Sequence, residues 1–491
     1  MASLLFLVFI GSALYVFGIP PFNPGGPLLP AAEKTSGQQA TQEMPAFLSE
    51  EKIGRAKTYA EYMNRGKLLE DNSYHALAVA EYEAAVKQAP ENIEPLIEIG
   101  RIHLREKDYI KSKLSFLEAL RIEPANLDAN IYLVRALLAD RKITEAQKVI
   151  STLTESNQNS KYYEGIIAAY FGDYENSKSR FNDAISIGTS DDITAKARDF
   201  LAAYDEYDFN QGGSKVHIKI LLARSMNRAC EYNMAIPLLF EVIKEKKDYR
   251  DAWILLGYAY LRIEKFQDAI EALEEAKKLD PAKPETLFYL GLGYYGLSDL
   301  NNAAANLELA KKNGFQPEVQ IDQKLAEIYL QLKNYQQSAS SFENVLSLND
   351  ENVYYYIKPI WLYLDRLNQP VRAMALAQKA YKNHPKEAMS FNLLGWAAVG
   401  NNRLKEAEDY LNKAKTLDPH LDAVYLNFGL LNEKKGDLKL AGTYYKQAFD
   451  MGKGNSISSA AADSYNRLIG KIDNLTYSDP VSLKVPLATL Q

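Results

Sequence analysis

Residues 251–281, DAWILLGYAYLRIEKFQDAIEALEEAKKLDP, decide the fold of this 491-residue chain. Apolar residues recur in them at the three- to four-residue spacing of an amphipathic helix, in two stretches joined by a short polar turn. Small residues stand where two such helices would cross, and a proline ends the unit. The residues that mark the pattern are Gly257, Phe266, Ala269, Leu273, Ala276 and Pro281.

The same pattern returns about every 34 residues along the chain. Later copies carry Leu290, Gly291, Ala303 and Leu307, then Leu394, Gly395, Ala407, Leu411 and Pro419. Aligning them gives eleven units, which start at Tyr59, Ile93, Leu127, Gln158, Val216, Arg250, Pro284, Val319, Tyr354, Ala388 and Asp422. One helix pair cannot bury both of its apolar faces, so neighbouring units must stack.

This combination of positions resembles the tetratricopeptide repeat. The resemblance implies an all-α fold, a right-handed α-solenoid of stacked helix-turn-helix repeats whose first helices line the concave side. The chain then divides into a block of about four repeats and a block of about seven, with a helix and loop inserted between them and a capping helix before the tail. The ranges are 49–191, 216–455, 192–215, 456–475 and 476–491. Pro359 predicts a distorted first helix in the unit that starts at Tyr354.

The N-terminus reads differently from the repeats. Residues 1–19 carry no charged side chain, and residues 20–48 are rich in proline and glycine. This order predicts a hydrophobic signal or anchor helix followed by an extended linker. The expectation is a membrane-anchored or exported protein that contacts the membrane through residues 1–19, on the periplasmic or extracellular side or else on the cytoplasmic face. The alternative is an apolar helix buried in the protein body.

Composition and motifs exclude several classes of protein. The net charge is 57 − 63 = −6, which disfavours a nucleic-acid binder. One cysteine, Cys230, cannot form an intrachain disulfide, and five scattered histidines have no zinc-ligand spacing. The G-x-G-x-x-G match at 291–296 falls in the first helix of a repeat and follows no strand, so it indicates packing rather than a dinucleotide site. We predict no cofactor, no metal and no catalytic activity.

The resemblance also assigns groove positions, which in this sequence carry many aromatic residues. They are Tyr132, Tyr162, Tyr163, Tyr170, Tyr258, Phe288, Tyr289, Tyr295, Tyr355 and Trp396. Aromatic side chains supply a large contact area at a small cost in conformational entropy, as an interface anchor needs. The alternative is that they fill gaps between adjacent first helices.

Arginines recur at two further groove positions: Arg101, Arg105, Arg135, Arg224, Arg228, Arg262 and Arg366. A row of guanidinium groups in an acidic protein suits a partner's carboxylates. The alternative is the helix dipole, which favours cations near the C-terminal end of a helix by about 0.3–1 kcal/mol. The lysine and asparagine set that some family members use to clamp a C-terminal carboxylate is not found.

The sequence therefore predicts a non-catalytic scaffold that binds other proteins through its concave groove in a multiprotein assembly. An acidic extended segment or a helix is the expected partner, and self-assembly is also open. The alternative is a periplasmic or cell-surface component of an envelope export machine for polysaccharide or protein.

Overall fold

The computed structural model describes residues 58–209, 214–453 and 455–469. They belong to two compact units, one over 58–298 and one over 299–469. Every regular element in these residues is helical, as the repeat pattern predicts. The all-α repeat fold is confirmed, while the hydrophobic helix predicted at 1–19 lies outside the described residues.

The described residues of the first unit form fourteen helices, and most of these form antiparallel pairs. They are α1 (Tyr59–Asp71), α2 (His75–Gln88), α3 (Glu94–Arg105), α4 (Tyr109–Ile122), α5 (Leu127–Ala139), α6 (Ile143–Ser151), α7 (Gln158–Phe171), α8 (Tyr174–Ile187), α9 (Asp191–Phe209), α10 (Lys215–Arg228), α11 (Tyr232–Glu245), α12 (Arg250–Arg262), α13 (Phe266–Leu279) and α14 (Pro284–Gly296). The helix predicted in the insertion is α9, which packs between α8 and α10. The helix and loop predicted at 192–215 thus belong to this unit.

The second unit continues the pairs and ends in a single helix. Its helices are α15 (Leu300–Lys312), α16 (Glu318–Gln331), α17 (Tyr335–Leu348), α18 (Ile357–Trp361), α19 (Pro370–Asn383), α20 (Ala388–Gly400), α21 (Leu404–Leu417), α22 (Asp422–Lys435), α23 (Leu438–Gly452) and α24 (Ser456–Ile469). The distortion predicted at Pro359 is present, because α18 lies between a 3-10 turn at Val353–Tyr356 and a π-helical turn at Leu362–Arg366.

Glycines allow the two helices of a repeat to cross closely. A Cβ added at Gly257 would lie 2.4 Å from Cγ of Leu273, and one added at Gly100 would lie 2.5 Å from the Phe116 ring. Real Cβ atoms do not approach a carbon so closely, so a side chain at either position would force the opposing one to move. Near one of these crossings the Ser112 hydroxyl donates to the carbonyl of Gly100 at 2.9 Å, which joins the pair by a buried hydrogen bond.

Tyrosines also join successive repeats through glutamates of the preceding second helix. In the first unit the Tyr294 hydroxyl donates to Glu274 at 3.5 Å. In the second unit Tyr329 donates to Glu308 and Tyr363 to Glu343, again 20 or 21 residues apart. The periodic bonds explain part of the high tyrosine content, 33 residues against 18 phenylalanines.

The localisation expected from the sequence, membrane-anchored or exported, is contradicted by the length and polarity of the described helices and is wrong. Within 58–209, 214–453 and 455–469 no helix is long and apolar enough to cross a membrane. Crossing needs about 20 apolar residues, whereas the 19-residue helix α9 carries carboxylates such as Asp199 and Glu206. The run 1–19, on which the expectation rested, lies outside the described residues.

Candidate functional site

Three tyrosines and one arginine of the first unit pack together: Tyr258 and Arg262 of α12, Tyr289 of α14, and Tyr232, which begins α11. The Tyr258 ring lies 6.1 Å from the Tyr232 ring and 5.4 Å from the Tyr289 ring, between centroids. The Arg262 guanidinium stands 5.3 Å from the Tyr232 ring and donates to the Tyr258 hydroxyl at 3.3 Å. Desolvation raises the pKa of Tyr258, so this phenol stays neutral at physiological pH. We call these four residues the Tyr258 cluster.

A cavity of about 180 Å³ lies beside this cluster, between α9, α10, α12 and α14. Its apolar walls are Ile220, Leu221, Ile254 and Leu255, and the rings of Tyr249, Tyr258 and Tyr289 complete them. Its polar edge is formed by Glu206, His217, Arg224 and Asp251. Three residues predicted for the groove, Arg224, Tyr258 and Tyr289, therefore meet around one cavity. Tyr249 and Glu206 were not predicted, because Tyr249 precedes α12 and Glu206 lies in the insertion.

A second aromatic group lies earlier in the same unit. The guanidinium groups of Arg101 and Arg135 stand 5.7 Å and 5.4 Å from the Tyr132 ring centroid, within cation–π range. The rings of Tyr162 and Tyr163 contact each other edge to face at 5.2 Å. Tyr162 is fully buried, and its hydroxyl has no hydrogen-bond partner among the described residues.

Glu231 links this second group to the Tyr258 cluster, since it lies next to Tyr232 and interacts electrostatically with Tyr162 and Tyr163. Desolvation raises the pKa of the Glu231 carboxyl, and the charges of Arg135 and Lys196 act in the opposite direction. A poorly solvated carboxylate thus lies beside the groove tyrosines of the first unit. Sequence reasoning missed it because Glu231 lies in a turn.

Most of the predicted arginines already have carboxylate partners. Arg101 pairs with Glu98 at 2.7 Å, Arg105 pairs with Glu70, and the inserted helix α9 supplies partners to Arg224 and Arg228. Those two partners are Glu206 and, at 4.0 Å, Asp199. Arg105, Arg228 and Arg262 lie in the last turn of their helices, where the dipole favours them.

The pair formed by Arg105 has a counterpart at the end of the second unit. Glu70 also accepts a hydrogen bond from Tyr82 at 3.1 Å. In the same way Glu433 accepts from Tyr445 at 2.7 Å and pairs with Arg467 of α24 at 3.0 Å. This recurring arrangement indicates that Arg105 joins neighbouring first helices.

Arg135 and Arg262 differ from the paired arginines. Both side chains are exposed, and in the part of the chain that the structure describes no carboxylate forms an ion pair with either. Each guanidinium instead lies over tyrosine rings. Stacking keeps the stem ordered while the charged edge remains open to a ligand.

Three further predicted residues lie in α14 and α20. Phe288 is buried against Tyr289, with 5.7 Å between ring centroids, and Tyr295 is buried in the same helix α14. Trp396 is partly buried and packs against the core of the second unit. Their role in binding a partner stays a prediction.

Two distant turns of the first unit touch, a contact that local sequence patterns cannot show. The Lys107 ammonium pairs with Glu264 at 2.9 Å, and Asn233 donates to the Tyr109 hydroxyl at 3.5 Å. Helices α5 and α11 also contact each other. The first-helix side of this unit is therefore partly enclosed, which is consistent with the burial of Tyr162 and Tyr163.

Among residues 58–209, 214–453 and 455–469, no group of three or more His, Cys, Asp or Glu side chains is placed to hold a metal ion. Cys230 is a free, exposed thiol that accepts a hydrogen bond from the Tyr232 hydroxyl at 3.3 Å.

Family models described as the tetratricopeptide repeat match the chain in both units. The matched residues are 93–126, 114–170, 250–283, 323–352, 362–422 and 423–451. The first-unit matches include α12, which carries Tyr258 and Arg262.

Comparison with single proteins gives more distant likenesses. The peroxisomal targeting signal receptor of Saccharomyces cerevisiae is 24% identical over 267 residues, which is 50% of this chain and 40% of the relative's length. The crystal structure of yeast Tom70 is 13% identical with a TM-score of 0.29, covering 88% of this chain and 99% of that one. A tetratricopeptide repeat protein from Parabacteroides merdae is 15% identical with a TM-score of 0.33, covering 52% and 100%.

Proposed function

Because this chain is a tetratricopeptide repeat protein, suited to protein–protein interaction, we propose that it is a non-catalytic scaffold that holds other proteins in an assembly. We assign binding to the first-helix side of the first unit, which the family fold makes the concave side. The yeast relative is by name a receptor for a targeting signal; from it we carry over only the capacity to bind a segment of another protein.

One observation carries this proposal: Arg224, Tyr258 and Tyr289, chosen from repeat positions alone, surround a single cavity. Residues that merely filled gaps between helices would leave no such space beside them. Binding energy in protein interfaces concentrates in a few aromatic and arginine residues around a pocket. The Tyr258 cluster has this composition and this setting.

The expected partner is an acidic extended segment. Arg135 and Arg262 offer guanidinium groups that form no ion pair with a carboxylate of the described residues, and both lie among groove tyrosines. A partner carboxylate would supply the missing ion pair with a charge-assisted hydrogen bond. Tyrosine rings on either side would contact the partner's apolar atoms.

Panning a random 12-residue phage-displayed peptide library on the immobilised full-length chain tests the proposal. We expect the selected peptides to be rich in Asp and Glu, because the available cations are arginines. Synthetic copies should bind the Arg262→Gln variant about tenfold more weakly, the loss of one charged hydrogen bond. The matched control is Arg403→Gln, an exposed arginine of the second unit that pairs with Glu406.

A selection that enriches nothing would contradict the scaffold proposal at this surface. Peptides that bind Arg262→Gln and Arg403→Gln equally well would place the binding surface elsewhere. Melting curves of both variants should match the parent within a few degrees, since each arginine is exposed.

A further inference from the structure

We propose that the cavity beside the Tyr258 cluster is a specificity pocket for one large apolar side chain of the partner. In the partner's sequence this apolar residue stands two positions from an acidic residue whose carboxylate binds Arg262. The inference rests on the proposed function and adds to it the sequence of the segment that is recognised.

The size of the cavity favours a single side chain. Sites for drug-sized ligands occupy about 300–1,000 Å³, whereas this cavity measures about 180 Å³. A water molecule takes about 30 Å³ and requires several polar partners. The walls supplied by α10 and α12 are instead leucine and isoleucine side chains, which favour an apolar occupant through the burial of its surface.

The polar groups of the cavity are arranged to position a peptide rather than to fill the space. The pair between Arg224 and Glu206 stands at the edge and joins α10 to the inserted helix α9. The hydroxyls of Tyr249 and Tyr289 form no hydrogen bond with any residue the structure describes. They remain available to the partner's main chain, as in pockets where a few polar groups fix the orientation of an apolar ligand.

The spacing between the two recognised side chains follows from Tyr258. Its ring is a wall of the cavity, and the Arg262 guanidinium lies 5.9 Å from the centre of the same ring. In an extended segment, side chains two residues apart are on the same face and about 7 Å apart. One ring can therefore separate an apolar side chain in the cavity from a carboxylate on Arg262.

Two synthetic peptides test the pocket. One contains Asp-Ser-Phe-Ser-Asp within a Gly-Ser chain, so that an acid stands two residues from Phe on either side; its twin has Ser for Phe. With fluorescein labels and anisotropy on the full-length chain, we expect the Phe peptide to bind at least tenfold more tightly. The Arg262→Gln variant should weaken both peptides.

The second test fills the cavity by enlarging a side chain in its wall. In Leu255→Phe the new ring should occupy the cavity, remove the advantage of the Phe peptide and leave the melting temperature unchanged or higher, because filling a cavity commonly stabilises a protein. Ile254→Phe is a second filling variant, used if Leu255→Phe melts early. The control is Leu417→Phe, on a side chain of the second unit that is 52% exposed, which should behave as the parent.

The outcomes separate the two proposals. Equal binding of the twin peptides, or a Phe advantage that survives in a filling variant that melts like the parent, overturns the pocket and leaves an acidic-segment scaffold standing. If neither peptide binds while the library yields other acidic binders, the pocket is again overturned and the scaffold stands. If the library also yields nothing, both proposals fall.

Discussion

Replacing Gly257 by alanine tests how closely the two helices of a repeat must cross. The added Cβ would lie 2.4 Å from Cγ and 2.7 Å from Cδ2 of Leu273, a fully buried side chain. Relieving such an overlap by moving a packed side chain costs about 1–3 kcal/mol. Alanine recovers about 1 kcal/mol through its higher helix propensity. The net loss of unfolding free energy is therefore about 0–2 kcal/mol.

Gly442 of α23 supplies the matched control. An alanine Cβ there would meet its nearest atoms, on Tyr465 and Leu468, at 3.6 Å and 3.7 Å, which is ordinary contact. Gly442→Ala should therefore gain about 1 kcal/mol from helix propensity alone. The two variants make the same chemical change in a helix and should differ by about 1–3 kcal/mol.

Urea denaturation followed by circular dichroism, with hydrogen exchange to localise the change, measures the difference. Exchange should rise in α12 and α13 of Gly257→Ala and fall in α23 of Gly442→Ala. Local readout matters because stacked repeats need not unfold in one step. If Gly257→Ala is as stable as Gly442→Ala, close crossing at glycine does not hold the pair together.

Other perturbations follow from particular contacts. Burial raises the pKa of the Glu231 carboxyl, so the protonated side chain stabilises the fold below the usual glutamate pKa range. That contribution is lost as the pH rises through the pKa of the folded state. Glu231→Gln should therefore melt at a higher temperature than the parent at pH 7 and at the same temperature near pH 4. Lys107→Glu places two like charges together at the contact with Glu264 and should increase tyrosine nitration of the first unit severalfold. The double variant Lys107→Glu with Glu264→Lys restores opposite charges and should restore protection. Peptide mapping by mass spectrometry measures the nitration. Arg105→Gln should lower stability by about 0.2–1 kcal/mol through loss of its pair with Glu70, with no change in the anisotropy of a bound acidic peptide.

The repeat pattern predicted the helices well because each depends on residues close in sequence. First helices begin at the predicted Tyr59, Leu127, Gln158 and Arg250, where small and apolar residues recur at fixed spacing. The distortion at Pro359 was also predictable, since proline removes a backbone donor wherever it stands in a helix.

The site was less predictable because it depends on contacts between distant residues. Repeat positions identified Tyr258 and Tyr289, but they could not show that Arg228 finds a carboxylate on the inserted helix. Nor could they show that Tyr162 is fully buried in a unit where the turns of Lys107 and Glu264 meet, over a hundred residues apart in sequence. Helical periodicity fixes which face a residue occupies, whereas its ion pairs depend on how successive pairs stack.

Site-specific photo-crosslinking tests the central claim, that the first-helix side of the first unit binds a segment of another protein. A benzoylphenylalanine at His217, a partly exposed residue at the edge of the cavity, is compared in the source cells with one at Val371, 75% exposed in the second unit. We predict that His217 crosslinks a peptide of another protein with a large apolar residue two positions from Asp or Glu, read by mass spectrometry. A crosslink at His217 no stronger than at Val371, or one to a segment without an acidic residue, would contradict the account.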